Sequence, residues 1–242
     1  MKSILLHPDG FQMHCTVRGA DSLPALFIVH GSPGIWKDYK KYLQDDSLTS
    51  HFRVIVFDRP GFGKSDPGYA VGIDKQVELL YKCAMQLNSN LPGYWVGHSL
   101  GGPIVALMAA RHADATAGIA ILAGSVSPEE EAPERWRQIF KWPAIRWLIP
   151  ARFDHSNVEI MRFKKDIHLL DDKWKNITCP VLIVHGTKDP LVPFKNAEYA
   201  YQKLENNSSV KLVSLKGANH FIPWEHFNLV TELIKKSFLK LE

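Results

Sequence analysis

A serine between two glycines, in Gly97-His98-Ser99-Leu100-Gly101, is the first stretch of this chain that could do covalent chemistry. An apolar run, Tyr94 to Val96, leads into it, and a helical pattern of small residues, Ile104 to Ala110, follows with no loop between. Strand, sharp turn and helix in that order hold a serine on a strained backbone with its hydroxyl exposed at the sheet edge. They also demand small neighbours where strand and helix approach. Gly97, Gly101 and Gly102 meet that demand. The chemistry would be nucleophilic attack on a carbonyl. A serine hydroxyl is a poor nucleophile at neutral pH, so it needs a base to take its proton and an acid to hold that base in the right tautomer. Asp189 and His220 each follow a stretch that reads as a strand, and loops at the C-terminal ends of parallel strands converge on one site. Two alternatives stand beside them: Asp189-Pro190 as a plain turn, and His226, inside the final predicted helix, as the base.

The rest of the chain must position these groups. Ser3 to Leu6 and Phe11 to Val17 flank Pro8-Asp9-Gly10 and predict a β-hairpin at a sheet edge. Ala25 to Val29, Val54 to Phe57, Tyr94 to Val96, Gly118 to Ala123 and Val181 to Val184 are apolar runs of the kind buried on both faces of a parallel sheet. Helical spacing links them: Val77, Leu80, Tyr81, Ala84 and Leu87, with Asp74 as the expected N-cap, then the helix after Ser99, a helix from about 194 to 204, and a last one from about 223 to 239. Strand 210–215 completes the alternation, which predicts a single α/β domain with a mostly parallel sheet flanked by helices.

One stretch departs from this. Between Ser125 and Cys179 about 55 residues carry no strand signal, and Pro143 and Pro150 cut the helical pattern into short pieces. They predict a helical cap, residues 125–179, inserted in a core made of 1–124 and 180–242. The cap holds Trp136, Trp142, Trp147 and Trp174, four of the seven tryptophans.

With elbow, strands and inserted cap in place, the chain resembles the α/β-hydrolase fold family, in its serine branch with a short helical cap. The likeness runs from the first hairpin to the last helix. Gly186-Thr187-Lys188-Asp189-Pro190-Leu191-Val192-Pro193 resembles the family's acid loop, and Asn219-His220-Phe221 after Gly217 its histidine loop. The resemblance implies the order nucleophile, acid, histidine, which Ser99, Asp189 and His220 obey. It also implies an oxyanion hole of backbone N–H groups. Leu100 supplies one, and the His30-Gly31-Ser32-Pro33-Gly34 loop the other; Pro33 has no N–H, so Ser32 is the family-like donor and Gly34 a weaker candidate. His30 is expected to brace that loop. Asp58 to Ser65 resembles a shaping loop and is assigned no chemistry. Aspartate-nucleophile branches, the haloalkane dehalogenases and epoxide hydrolases, are disfavoured by Ser99, and the absence of tyrosine from the predicted cap argues against epoxide hydrolases again.

The expected function is that of a carboxylesterase-like serine hydrolase, cleaving a small, largely apolar ester through an acyl-enzyme on Ser99. The alternatives are a carbon–carbon bond hydrolase or cofactor-free haloperoxidase of the same fold, or a ligand receptor retaining the triad. Trp36, His98, Trp136, Trp142 and Trp224 are the candidates for the substrate pocket. No cofactor or metal is expected, since there is no metal-binding histidine motif, no dinucleotide glycine fingerprint and no phosphate-binding loop. Cys15, Cys83 and Cys179 are odd in number and far apart, as reduced thiols would be. The net charge of +4 is modest, and the basic stretch Lys235 to Lys240 reads as the solvated face of a terminal helix rather than a nucleic-acid patch. The first residues are too short for a signal peptide and no run would span a bilayer, so the expected location is cytoplasmic.

Overall fold

The computed structural model describes residues 1–66, 71–87, 92–130 and 151–239. Eight strands form one sheet: β1 Lys2–Leu6, β2 Met13–Arg18, β3 Ala25–Val29, β4 Arg53–Asp58, β5 Gly93–His98, β6 Thr116–Leu122, β7 Val181–Gly186 and β8 Val210–Leu215. Their order is β1-β2-β4-β3-β5-β6-β7-β8. Only the β1/β2 and β2/β4 pairs are antiparallel, so the predicted edge hairpin and parallel core are both present.

Successive side chains of a strand point to opposite faces, and β3 sorts its residues accordingly. Ala25, Phe27 and Val29 join one apolar cluster, while Leu26 and Ile28 join the other. The first cluster is covered by α3 Ile73–Leu87, α4 Gly101–Arg111 and α6 Lys195–Lys203. The second lies under α1 Lys40–Gln44, α2 Asp46–Thr49, α7 Ile222–Glu225 and α8 Phe227–Phe238. A further helix, α5 Ala151–Asp166, stands between these core elements in the chain.

Several sequence expectations change in detail. Asp74 is not the cap of α3 but a first-turn residue that pairs with Arg111 Nη1 at 2.5 Å. The free N–H of Ile73 is instead satisfied by Asp166 Oδ2 of α5 at 3.2 Å, a partner too remote in sequence for a capping pattern to reveal. The single helix expected over 223–239 is broken at His226, whose backbone is non-helical (φ −114°, ψ 33°). In the short helix before the break, the Pro223 carbonyl accepts the hydroxyl proton of buried Tyr42 at 2.7 Å. Trp174, expected in the cap, is 2% exposed and belongs to the core cluster with Ile167, Leu170 and Ile177. Ile167, Leu170, Trp174 and Ile177 thus share one buried cluster with the residues of α3 and α4. Truncating a buried tryptophan leaves a large cavity, so Trp174→Ala is expected to lower unfolding free energy by about 3–5 kcal/mol, read from urea unfolding. A loss under about 1 kcal/mol would place the ring in a cover rather than the core.

At the antiparallel edge, a hydrogen-bonded chain crosses three strands. The Ser3 hydroxyl donates to His14 Nε2 at 2.8 Å, and the His14 Nδ1–H donates to Asp58 Oδ2 at 2.7 Å, with His14 and Asp58 fully buried. Burial alone would raise the Asp58 pKa, but the bonds from His14 and from the N–H groups of Trp36 and Lys64 outweigh it and lower it. No helix among the described residues is long and apolar enough to cross a membrane.

Candidate active site

Ser99 stands between the last residue of β5 and the start of α4 with φ 53°, a left-handed conformation that costs a non-glycine residue about 1–2 kcal/mol. Three hydrogen bonds hold it there. Its N–H donates to the Leu122 carbonyl at 3.0 Å, and its carbonyl accepts from Gly102 at 2.9 Å and Ser125 at 3.2 Å. A Cβ on Gly97 would run into the Gly101 carbonyl, and one on Gly101 into that of Val29, so strand and helix approach only because both are glycine. Trp95 to His98 and Leu100 to Ala109 are buried, whereas Ser99 is partly exposed.

Asp189 and His220 meet at the ends of β7 and β8. The His220 Nδ1–H donates to Asp189 Oδ2 at 2.7 Å, which leaves the lone pair on Nε2. The other oxygen, Oδ1, accepts the N–H groups of Leu191 (2.9 Å) and Val192 (2.8 Å). Burial would raise the Asp189 pKa, but bonds from His185, His220 and the Val192 N–H outweigh it and hold the carboxyl well below the usual range. Asp189 is therefore an anion whenever the protein is folded near neutral pH. His226 sits at the helix break and takes no part in this pair.

The loop after β3 crosses directly over the serine: a Cβ on Gly31 would lie 2.9 Å from Ser99 Cβ. Two donors pin the Gly31 carbonyl, His30 Nδ1–H at 2.7 Å and Arg59 Nη2 at 2.8 Å, while His30 Nε2 accepts the Arg59 N–H at 3.0 Å. Burial, reinforced by the Arg59 charge, pushes the His30 pKa down to about 3, so the ring is a neutral brace. Ser32 follows, its hydroxyl donating to Ser156 Oγ of α5 at 3.0 Å. Leu100 caps α4 on the other side of Ser99.

The pocket candidates fare differently. His98 obeys the strand alternation and points, like Val96, to the face of the second cluster, so it is 4% exposed instead of lining an opening. It donates Nε2–H to the backbone carbonyl of His220 at 3.2 Å, and its Nδ1 is buried with no hydrogen-bond partner among the described residues. Burial pushes its pKa down to about 3, so it serves as a neutral support beneath the His220 loop. Trp224 packs edge-on against His98 at 5.0 Å between ring centres, and its indole N–H donates to the Asp38 carbonyl at 2.6 Å. Trp36 donates its backbone N–H to Asp58 Oδ1 at 2.7 Å and sets its ring 6.2 Å from that of His14. Trp136 and Trp142 lie outside the described residues.

Sequence reading missed Arg59 and Glu159. The Arg59 guanidinium is fully buried and forms a two-pronged ion pair with Glu159 of α5, Nη1 to Oε1 and Nη2 to Oε2 (3.1 Å). Gln76 bridges them, accepting from Arg59 at 2.9 Å and donating to Glu159 at 2.8 Å. Arg59 lies in a recognisable loop, but nothing in the pattern around Glu159 marks it. No cluster of histidine, cysteine or acidic residues among the described residues could hold a metal ion. Burial raises the thiols of Cys15 and Cys83 to about 12 and that of Cys179 to about 11, which makes them inert.

Comparison with known proteins identifies the fold. A family model described as the alpha/beta hydrolase fold matches residues 24–169. The chain is similar to the pimeloyl-[acyl-carrier protein] methyl ester esterase of Vibrio vulnificus, 33% identical over 215 residues, covering 72% of this chain and 80% of the relative. It is similar to the (E)-2-((N-methylformamido)methylene)succinate hydrolase of Acinetobacter baylyi, 25% identical over 180 residues, covering 62% and 67%. Its fold is like that of an alpha/beta hydrolase enzyme from a Medee basin deep-sea metagenome library, with a TM-score of 0.83, 15% identity, and coverage of 99% of this chain and 98% of that one.

Proposed function

Because the chain belongs to the α/β-hydrolase fold family, we propose that it is a serine hydrolase that cleaves a small, largely apolar ester through an acyl-enzyme on Ser99. The observation that carries the reading is the strained, partly exposed Ser99 under the Gly31 loop, on the same sheet edge as the Asp189–His220 pair. The relatives are an esterase and a hydrolase by name, which supports bond cleavage by water over ligand reception.

In this mechanism, Ser99 Oγ attacks the ester carbonyl carbon as its proton passes to His220 Nε2. Asp189 holds Nδ1–H and stabilises the imidazolium that forms. The carbonyl oxygen becomes an oxyanion, met by the backbone N–H groups of Ser32 and Leu100. Collapse breaks the C–O bond, and His220 returns the proton to the leaving alcohol. Water then attacks the acyl-enzyme by the same route and releases the acid and free Ser99. Helix α5 touches the Gly31–Ser32 loop through Ser156, which supports a cover that restricts the site to small substrates.

A series of p-nitrophenyl esters of graded acyl length tests this. The expected result is a graded preference for short to medium chains in kcat/KM, since an apolar pocket discriminates by only about 1–3 kcal/mol per methylene. Best turnover on long-chain triglycerides, or no ester cleavage at all, would sink the reading.

A further inference from the structure

We propose that Arg59 and Glu159 are positioning residues for the oxyanion donor at Ser32, so that the docking of helix α5 is coupled to the chemical step. The inference rests on the reading of Ser99 as nucleophile and goes beyond it, because neither residue touches the reacting atoms.

The geometry runs through one peptide bond. The group joining Gly31 to Ser32 is planar, so the direction of its carbonyl fixes the direction of its N–H on the opposite side. That carbonyl is held by Arg59 Nη2 at 2.8 Å and His30 Nδ1–H at 2.7 Å. A bond from a cationic donor is roughly twice as strong as a neutral one, and it polarises the amide so that the Ser32 N–H becomes a better donor. Arg59 thus both aims and strengthens the group that must meet a developing negative charge.

Arg59 cannot do this alone. A fully buried guanidinium needs a counter-charge, and Glu159 is the carboxylate that grips both its terminal nitrogens. Gln76 and the ring of Phe62, 4.9 Å below the guanidinium carbon, complete the cage. Glu159 lies on α5, one turn beyond Ser156, which reaches the Ser32 hydroxyl. One helix therefore contacts the Gly31–Ser32 segment twice, once through Ser156 and once through Glu159 and Arg59.

A purely structural role would be to bolt α5 to the core. Other bonds already do that: His155 Nδ1–H donates to the Gly61 carbonyl at 2.5 Å, and Asp166 accepts the Ile73 N–H at 3.2 Å. The ion pair spans a region that these bonds also hold, while Arg59 Nη2 donates to Gly31 as well as to Glu159.

Steady-state hydrolysis of p-nitrophenyl acetate separates the two roles. Arg59→Lys keeps a cation beside Glu159 but lacks the planar fork that grips Glu159 and Gly31 together. Its kcat should fall by about 10- to 100-fold with KM held within about threefold, the signature of an interaction that counts in the transition state. Glu159→Gln should lower kcat in the same sense by a smaller factor, and it carries the test if Arg59→Lys does not give folded protein by circular dichroism. Asp166→Ala, which removes the bond to the Ile73 N–H and leaves the Ser156 and Glu159 contacts in place, should leave kcat unchanged. A folded Arg59→Lys or Glu159→Gln that retains wild-type kcat, or an Asp166→Ala that loses as much, would overturn the coupling. Ser99→Ala in the same assay keeps the two levels apart: if it stays active the nucleophile itself is wrong, whereas an inactive Ser99→Ala beside fully active Arg59 and Glu159 variants defeats only this inference.

Discussion

Replacing Ser99 by alanine is expected to lower kcat for ester hydrolysis by roughly 10⁴- to 10⁶-fold and to abolish covalent labelling by a fluorophosphonate. In the proposed mechanism the hydroxyl oxygen bonds to the acyl carbon, and what would remain without it is binding and oxyanion stabilisation alone. The fold should be untouched, because alanine meets the same φ of 53° that serine does and the three hydrogen bonds at this turn are all backbone. Ser99→Gly sharpens the test. Glycine occupies the left-handed region without a Cβ penalty, so this variant should be more stable than wild type by about 1 kcal/mol in urea unfolding while equally inactive. Mass spectrometry of the labelled wild type should find one adduct, on Ser99. Undiminished labelling of Ser99→Ala, or an active alanine variant, would remove the serine from the mechanism.

The second large effect is at Asp189. Asp189→Asn should cost about 10³- to 10⁴-fold in kcat, although it removes only a charge. The surroundings dictate how the amide must sit. The N–H groups of Leu191 and Val192 both point at the Oδ1 position and require an oxygen there, so the NH₂ is forced to the Oδ2 position, 2.7 Å from His220 Nδ1. An N–H facing Nδ1 drives the ring proton to Nε2, the nitrogen that must be free to accept from Ser99. The wrong tautomer, rather than a lost contact, is the cause.

Stability follows with a definite sign. The folded-state pKa of Asp189 is depressed, so its stabilisation is complete above its unfolded value of about 3.9 and is lost as pH falls through the lower folded value. The stability gap between wild type and Asp189→Asn should therefore be constant above about pH 5 and shrink below about pH 4. Urea midpoints measured across that range check it, and a gap that widens toward acid would refute the depressed carboxyl.

What could be read from sequence was what local pattern encodes. The elbow is legible because Gly97, Ser99 and Gly101 are neighbours in the chain and the requirement on each is steric. β3 and β7 are legible because a strand buried on both faces leaves an unbroken apolar run. Asp189 and His220 could be named because each follows a strand whose end lies at the same sheet edge. Polar groups that serve as scaffolding were less visible. His98 looked like a pocket residue from its place beside Ser99, but strand alternation turns it under the His220 loop. Trp36 and Trp224 are rings packed on His14 and His98, and their aromaticity alone says nothing of the partner. Arg59 and Glu159 stand 100 residues apart, and only tertiary structure makes them a pair.

The chain that links Ser3, His14 and Asp58 has the same three residue types, the same order of hydrogen bonds and nearly the same lengths, 2.8 and 2.7 Å, as a serine triad requires. Yet Ser3 lies within edge strand β1 and lacks the left-handed backbone of Ser99. The protein thus contains its own control experiment. Both serines meet the same labelling reagent in one tube, in one molecule, at one pH. A probe that marks Ser99 and spares Ser3 would separate connectivity from conformation: Ser3 has a histidine and an aspartate relayed behind it, and its silence would assign reactivity to the bent backbone and the amides around Ser99.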